Sequence, residues 1–511
     1  MQPHEESLLK LSEPVEGYME AREERSTLDL VRRLCETLNK EGIVYCHWKS
    51  TAALDRSARG DNDLDLLVSR SDALRFTEIL CRHGFKETFG PTDLQLPGVL
   101  NYYGYDQPAN RFVHVHAHYQ LVMGHDMTKN THLPLEQPYL ASAVQRGLFK
   151  VPAPEFEFIL LVIRMVLKHS TWDTNLTRQG TLSVNEKQEL SYLQARSNPA
   201  QTDYLLKQHL PFIDLVLFND CLRSLQPGCP IWNRIRTANK LQNLLKINGR
   251  HSQIADLYLK LWHRLVLGMR RRVLRRVPKI HLANGGAIIA IVGGDGAGKS
   301  TSVDELYAWL SKKFDVTKVH MGKPPWSLTT ITVRGILKIG RSLGLYPFMR
   351  TPLEYTLDPN SIIFPGYPWL MREVCTARDR YLTYKKARRS ASNGGIVICD
   401  RFPLPQVKLM DGPQVERMAS TIKKNWFIKF LTSLESSYYQ QIMLPELLIV
   451  LRLDPETAVI RKSDEAEVSV RARSTEIWGL DWRGTPAYVI DTNRTKEEVF
   501  SSLKTLLWEQ L

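Results

Sequence analysis

The sequence predicts an α/β chain in three parts. A C-terminal three-layer domain on a mainly parallel sheet (287–511) and an N-terminal α+β domain (1–150) flank a helical region (151–268), with a basic linker at 269–286. Three observations lead there. From residue 287 onward, short apolar runs alternate with helix-like stretches, the pattern of a parallel sheet covered by helices. Between 151 and 268, apolar residues recur at three- and four-residue spacing, as in EFEFILLVIRMVLKH and SQIADLYLKLWHRLVLGM. Before 150, strand-like and helix-like periods are mixed. The chain has 511 residues, too many for one core.

The bulk numbers narrow the class. A 43% hydrophobic and 24% charged composition is that of a soluble globular protein. A net charge of +14 fits nucleic acid, an anionic membrane face, phosphorylated substrates or general surface character. Seven scattered cysteines form no CxxC pair, which argues against a zinc ribbon and for reduced thiols. The N-terminus is charged throughout and lacks the apolar core of a signal peptide. The apolar runs FILLVIRMVL (158–167) and AIIAIVGG (287–294) are far short of the roughly 20 residues that span a bilayer. A cytoplasmic location is the resulting expectation.

Element by element, the C-terminal part starts after the basic run MRRRVLRRVPKIH (269–281), read as a helix end and linker. Residues 269–281 leave peripheral membrane contact open. The expected strands are AIIAIVG (287–293), VTKVHM (316–321), GIVIC (395–399), LLIVLRL (447–453) and AYVID (487–491). Thr495 and Glu498 have capping-box spacing and would open a last helix.

The first strand runs into IVGGDGAGKST (291–301), and Gly293–Ser300 satisfies GxxxxGK[ST]. The motif sits between an apolar strand and a helix-like stretch, the context of a phosphate-binding P-loop. Gly293, Gly294, Gly296, Ala297, Gly298, Lys299, Ser300 and Thr301 would form the cradle. Glycines let backbone N–H groups face a phosphate, and the helix N-terminus adds its dipole. Lys299 would reach the β/γ-phosphates of ATP and Ser300 would offer its hydroxyl to Mg²⁺. Asp400, closing the apolar strand of GGIVICDRF, is the second acid expected at the metal. Arg401 beside it is a candidate phosphate contact. An acid inside the cradle, Asp295, is unexpected, since a carboxylate pointing inward would repel phosphate.

GGDGAGKST together with ICDRF resembles the thymidylate kinase branch of the P-loop nucleoside monophosphate kinases. The resemblance covers about 285–511. It implies that Asp295 faces a hydroxyl of the acceptor and that Arg380, in ARDRYLTYKKARR, contacts the acceptor. It also implies that Arg461, in LIVLRLDPETAVIRK, is a lid arginine, with Lys462, Arg471 and Arg473 following. The sequence departs from that family in three places. HMGKPPWS offers Lys323 where the family has an arginine, FPLPQ replaces a small polar residue, and the Trp/Pro/Tyr-rich stretch 324–370 is enlarged. These departures leave the acceptor open among nucleotides and other small phosphorylated molecules.

In the N-terminal part, WKSTAALDRSARGDNDLDLLV (48–68) places Asp63 and Asp65 two residues apart, on one side of a strand. The stretch resembles the nucleotidyltransferase superfamily, of the DNA polymerase β kind, in which such acids hold divalent ions. The turn reads Lys49-Ser50 in place of Gly-Ser. In RFVHVHAHYQLV (111–122), His116 stands where a third carboxylate is expected, and His114, His116 and His118 alternate at metal-ligand spacing.

The expectation is therefore an ATP- and Mg²⁺-dependent kinase fused to a nucleotidyltransferase-like domain. A bifunctional kinase and nucleotidyltransferase making an activated sugar-type precursor, and an ATP-driven switch or scaffold, are the alternatives. A nucleic-acid partner is not expected, and an oligomer is left open.

Overall fold

In the computed structural model, residues 27–90, 95–172, 174, 181–273, 279–345, 364, 366–420, 422–423 and 425–511 are described. The first 26 residues, the 274–278 part of the basic run and 346–363 of the Trp/Pro/Tyr-rich stretch lie outside them. The chain divides into two compact units, Met1–Pro278 and Lys279–Leu511.

In the first unit, strands β1 (Tyr45–His47), β2 (Leu64–Val68), β3 (Lys86–Phe89), β4 (Val99–Asp106) and β5 (Arg111–His118) lie in the order β1-β2-β5-β4-β3. The β2–β5 pair is parallel and sets Asp65 beside His116 and Leu67 beside His118. The other pairs are antiparallel. One face of this sheet is apolar: Leu64, Leu66, Val113 and Val115 pack on Leu34 of helix α1 (Asp29–Lys40) and Phe76 of α2 (Ala73–Arg82). Because strand side chains alternate, that choice turns Asp65 and the three histidines to the other face.

Helices α3 (Pro154–His169), α4 (Val184–Arg196), α5 (Pro199–His209), α6 (Leu215–Ser224), α7 (Ile231–Leu244) and α8 (Gln253–Arg272) follow. Twelve residues of α3 are buried, so it reads apolar nearly all round. It is the central helix of a core shared with α4 to α7. Among the described residues no helix is long and apolar enough to cross a membrane.

The second unit is built on β6 (Ala287–Gly293), β7 (Val316–His320), β8 (Ile396–Asp400), β9 (Leu447–Arg452) and β10 (Ala487–Asp491). All pairings are parallel, in the order β7-β8-β6-β9-β10. Every strand lies within a residue of its expected bounds; β8 is shifted by one and takes in Asp400. The connecting helices used below are α9 (Lys299–Leu310), α10 (Leu328–Ser342), α11 (Tyr367–Ser392), α12 (Trp426–Gln440), α13 (Pro455–Arg461), α14 (Glu467–Gly479) and α15 (Lys496–Gln510). The last opens with the Thr495–Glu498 capping box. Strand order reverses between β6 and β8, and in open parallel sheets ligands bind at the carboxyl ends beside such a switch point.

Candidate functional site

At that switch point β6 ends at Gly293 and α9 begins at Lys299, capped by Gly298 in the left-handed region (φ 86°), where a Cβ would be strained. Gly294 serves a different need. A Cβ there would lie 2.8 Å from Ser474 Oγ and 2.9 Å from its Cα, so only glycine admits α14 this close. Ala297 is buried beside them and Thr301 is exposed. Lys299 is buried, and its ammonium donates to the Gly294 carbonyl at 2.7 Å, curling over the loop. Burial, with Arg401 adding repulsion, pushes Lys299 down to about 8.

Ser300 Oγ donates to Asp400 Oδ2 at 2.8 Å. Asp400 is buried at the end of β8, alongside Ile291, and its Oδ1 has no hydrogen-bond partner among the described residues. A hydroxyl and a carboxylate with one bare oxygen form a hard oxygen donor set, the kind Mg²⁺ takes together with waters and substrate phosphates. His320 Nε2 stands 4.0 Å from Oδ2.

Asp295 is a hub for cations. It is buried, and Oδ2 accepts from Arg473 Nη1 at 2.5 Å. Its Oδ1 is 3.8 Å from Arg401 Nη2 and 3.9 Å from Lys299 Nζ. The second nitrogen of Arg473, Nη2, is buried without a hydrogen-bond partner among the described residues. Arg401 has a left-handed backbone (φ 68°), held by its N–H donating to the Ile291 carbonyl at 3.0 Å. Its Nη1 is 3.7 Å from Asp411 Oδ2.

Arg380 is placed differently from a free acceptor contact. Buried on α11, it uses all five donors on protein. Nε bonds the Met321 carbonyl, Nη1 bonds Asp411 O and Tyr439 Oη, and Nη2 bonds Gly322 O and Asp411 Oδ1. It fixes the loops after β7 and β8. Arg461 is exposed at the end of α13 and donates to the Thr492 carbonyl at 3.3 Å. Lys323 is exposed, and its backbone N–H donates to His320 Nδ1 at 3.2 Å. Arg471 pairs with Glu456 and Glu467 at the surface. Asp411 was not foreseen, because Asp-Gly-Pro reads as a turn. Four cations (Lys299, Arg380, Arg401, Arg473) thus meet four carboxylates (Asp295, Asp400, Asp411 and Glu465, whose Oε2 is 3.6 Å from Arg473 Nη1), so this group of side chains is close to charge balance.

In the first unit, Asp63, Asp65, Ser50 and Glu189 line a cleft of about 520 Å³. The two aspartates have separate partners. Asp63 Oδ1 is 2.9 Å from His114 Nδ1, whereas Asp65 Oδ1 is 2.8 Å from Lys49 Nζ and 3.3 Å from His116 Nδ1. Burial works to raise Asp65, but Lys49, His116 and His118 outweigh it and hold the carboxyl well below its usual range. Burial lowers His118 to about 3. The Ser50–Thr51 turn is occupied by two acids that sequence reading missed. Ser50 N–H donates to Glu189 Oε1 at 3.0 Å, and Thr51 N–H donates to Glu157 Oε1 at 3.1 Å. Thr51 Oγ1 also donates to Glu157 Oε2 at 2.5 Å. The signal available was Glu157 itself, a charge inside the apolar run EFEFILLV.

No family model matches the chain. It is similar to "Uncharacterized ATP-binding protein YghR" of Escherichia coli K12, 29% identical over 225 residues, covering 42% of this chain and 83% of that protein. It is similar to "Uncharacterized ATP-binding protein YghS" of the same strain, 27% identical over 219 residues, covering 42% and 90%. Among solved structures, deoxyadenosine kinase from M. mycoides with bound dATP matches 43% of this chain and 98% of its own, at 16% identity and a TM-score of 0.27.

Proposed function

We propose that the second unit is an ATP- and Mg²⁺-dependent phosphotransferase. It would move the γ-phosphoryl group of ATP to a nucleotide or another small phosphorylated acceptor. The observation that carries this reading is the Ser300–Asp400 pair with its bare Asp400 oxygen, set beside Lys299 at the mouth of a glycine loop. The ATP-binding relatives support the donor.

Mg²⁺ on Ser300 and Asp400 would supply charge neutralisation between the β- and γ-phosphates. Lys299 would leave the Gly294 carbonyl for the phosphates. Arg401 and Arg473, gathered by Asp295, would stabilise the charge that develops in transfer. Arg473 brings an unspent donor nitrogen to that task. Arg380 acts as a positioning residue through Asp411, which in turn faces Arg401. Asp295 Oδ1, with no hydrogen bond among the described residues, would accept one from an acceptor hydroxyl. An anionic phosphate acceptor needs no deprotonation, so this reading assigns no general base. For the first unit, the nucleotidyltransferase likeness stands as an analogy of sequence pattern, with Asp63 and Asp65 in its cleft.

The test is ADP release from Mg·ATP across nucleoside monophosphates and sugar phosphates, with Lys299→Ala as control. Stimulation by one acceptor, lost in the control, supports the reading. Slow hydrolysis indifferent to every acceptor overturns it in favour of a switch.

A further inference from the structure

The polar face of the first unit's sheet gathers Asp65, His116 and His118. One ligand atom from each lies within 4.8 Å of the others. Asp65 Oδ1 is 3.3 Å from His116 Nδ1 and 3.7 Å from His118 Nε2. A tetrahedral ion with ligand bonds of ~2.1 Å sets its ligand atoms ~3.4 Å apart, so both contacts of Asp65 already lie within a few tenths of an ångström of that spacing. The strand register produces this. His116 is the direct partner of Asp65, and His118 follows two positions on, on the same face.

A second observation is independent of the spacing. His118 is fully buried, edge-on to Trp48 with centroids 5.1 Å apart, and neither ring nitrogen has a hydrogen bond among the described residues. Leaving such a polar ring unpaired is costly, and ligation through Nε2 would relieve that cost. The surroundings also fix the ring beside it. His114 stacks on Tyr103 at 4.4 Å, with Nε2 3.1 Å from Asn101 Oδ1 and Nδ1 on Asp63. Asp63 is therefore held next to the cluster by His114. The His116 side chain is about a quarter exposed and opens the cluster toward solvent, which leaves room for a further ligand.

We propose that Asp65, His116 and His118 bind one transition-series divalent cation, zinc above all, in place of a magnesium pair on Asp63 and Asp65. Magnesium demands oxygen donors, whereas imidazole suits zinc and its neighbours. Lys49, now 2.8 Å from Asp65 Oδ1, is the group the ion displaces. Its ammonium is then free for an anionic ligand in the cleft. The inference does not rest on the phosphotransferase reading of the second unit, and either can fail alone.

The experiment uses the full-length chain, stripped with chelator and then dialysed against Zn²⁺ or Mg²⁺, with bound metal counted by mass spectrometry. A Co²⁺ titration alongside reports the ligands through its visible bands, which distinguish nitrogen and oxygen ligation from cysteine thiolate. One equivalent of zinc is expected, together with nitrogen/oxygen-type Co²⁺ bands that excess Mg²⁺ does not remove. His116→Asn and His118→Asn are each expected to weaken binding at least tenfold, while Asp400→Asn retains it. Because His118 is buried, its variant tests folding as well as binding. His116 is more exposed and keeps the test open, with circular dichroism as the folding check. No retained zinc, thiolate-type bands, or unchanged binding in a folded His116→Asn protein overturns the proposal.

Discussion

Glu157→Gln tests whether the acids over the Ser50–Thr51 turn are as buried as they stand. Glu157 is 3% exposed, and burial pushes its carboxyl up to about 7 from the ordinary value of 4.5, against the two Thr51 hydrogen bonds that lower it. The folded protein therefore holds the proton more tightly than the unfolded chain. The stability this gives is fully present below pH 4.5 and is lost as pH rises through about 7. Integrated from roughly pH 5 to pH 8, the wild type should lose about 2.5 kcal/mol at this site. The amide of the variant does not titrate, and its carbonyl can still accept the Thr51 N–H. The variant should therefore gain on wild type by that amount over the same interval. For a unit of this size the gain is roughly 5–10 °C in the melting temperature. Scanning fluorimetry at the two pH values reads it, with other titrating groups cancelling between the two proteins. A melting difference that stays the same at both ends, or turns against the variant at the alkaline end, would refute the reasoning.

Three further outcomes concern the second unit. Arg473→Ala leaves Asp295 buried without its hydrogen-bonded partner, a loss of roughly 3 kcal/mol, so the melting temperature should drop by several degrees; an unchanged melt would mean the pair is not made. Gly294→Ala drives a Cβ onto Ser474, and binding of a fluorescent ATP analogue should weaken by about tenfold, some 1.4 kcal/mol, as α14 shifts; unaltered affinity would contradict the close approach. Asp400→Asn keeps an acceptor for Ser300 and removes the charge, so calorimetry should show ATP binding that no longer responds to Mg²⁺; a wild-type response would move the metal elsewhere.

Which features were legible follows from the range of the interactions that fix them. Three strands of the second unit, β6, β8 and β9, are buried apolar runs bounded by turns and helices, and a local pattern is all such a strand needs. The edge strands β7 and β10 are largely exposed and were read from their short β-branched runs between helix-like stretches. The loop was legible because its strand–glycine-turn–helix geometry is encoded in successive residues, Gly293 to Ser300. The pairing of Asp295 with Arg473 was not. Arg473 is 178 positions away in the chain, and no local spacing announces it. The same holds for Glu157 and Glu189, which reach the Ser50–Thr51 turn across 106 and 139 positions. Arg380 was found by motif, yet its side chain proved committed to Met321, Gly322, Asp411 and Tyr439, a set that only the packed fold brings together.

An acid within the proposed phosphate cradle then has a physical account. Lys299, Arg401 and Arg473 converge on one loop, and without a counter-charge these cations, two of them buried, would repel one another. Asp295 sits within 3.9 Å of all three, and its two oxygens divide the work: Oδ2 fixes Arg473, and Oδ1 faces Lys299 and Arg401. The carboxylate keeps the cations assembled, and on the proposed phosphotransferase reading it does so before a phosphate arrives. A polyphosphate is a stronger attractor than one carboxylate, so Lys299 and Arg401, which are not hydrogen-bonded to Asp295, can turn to it at small cost. Arg473 stays anchored through Nη1 and has Nη2 to give. On the proposed reading the loop acid would therefore work through the cations around it, holding in place the charge that a phosphate would otherwise have to assemble.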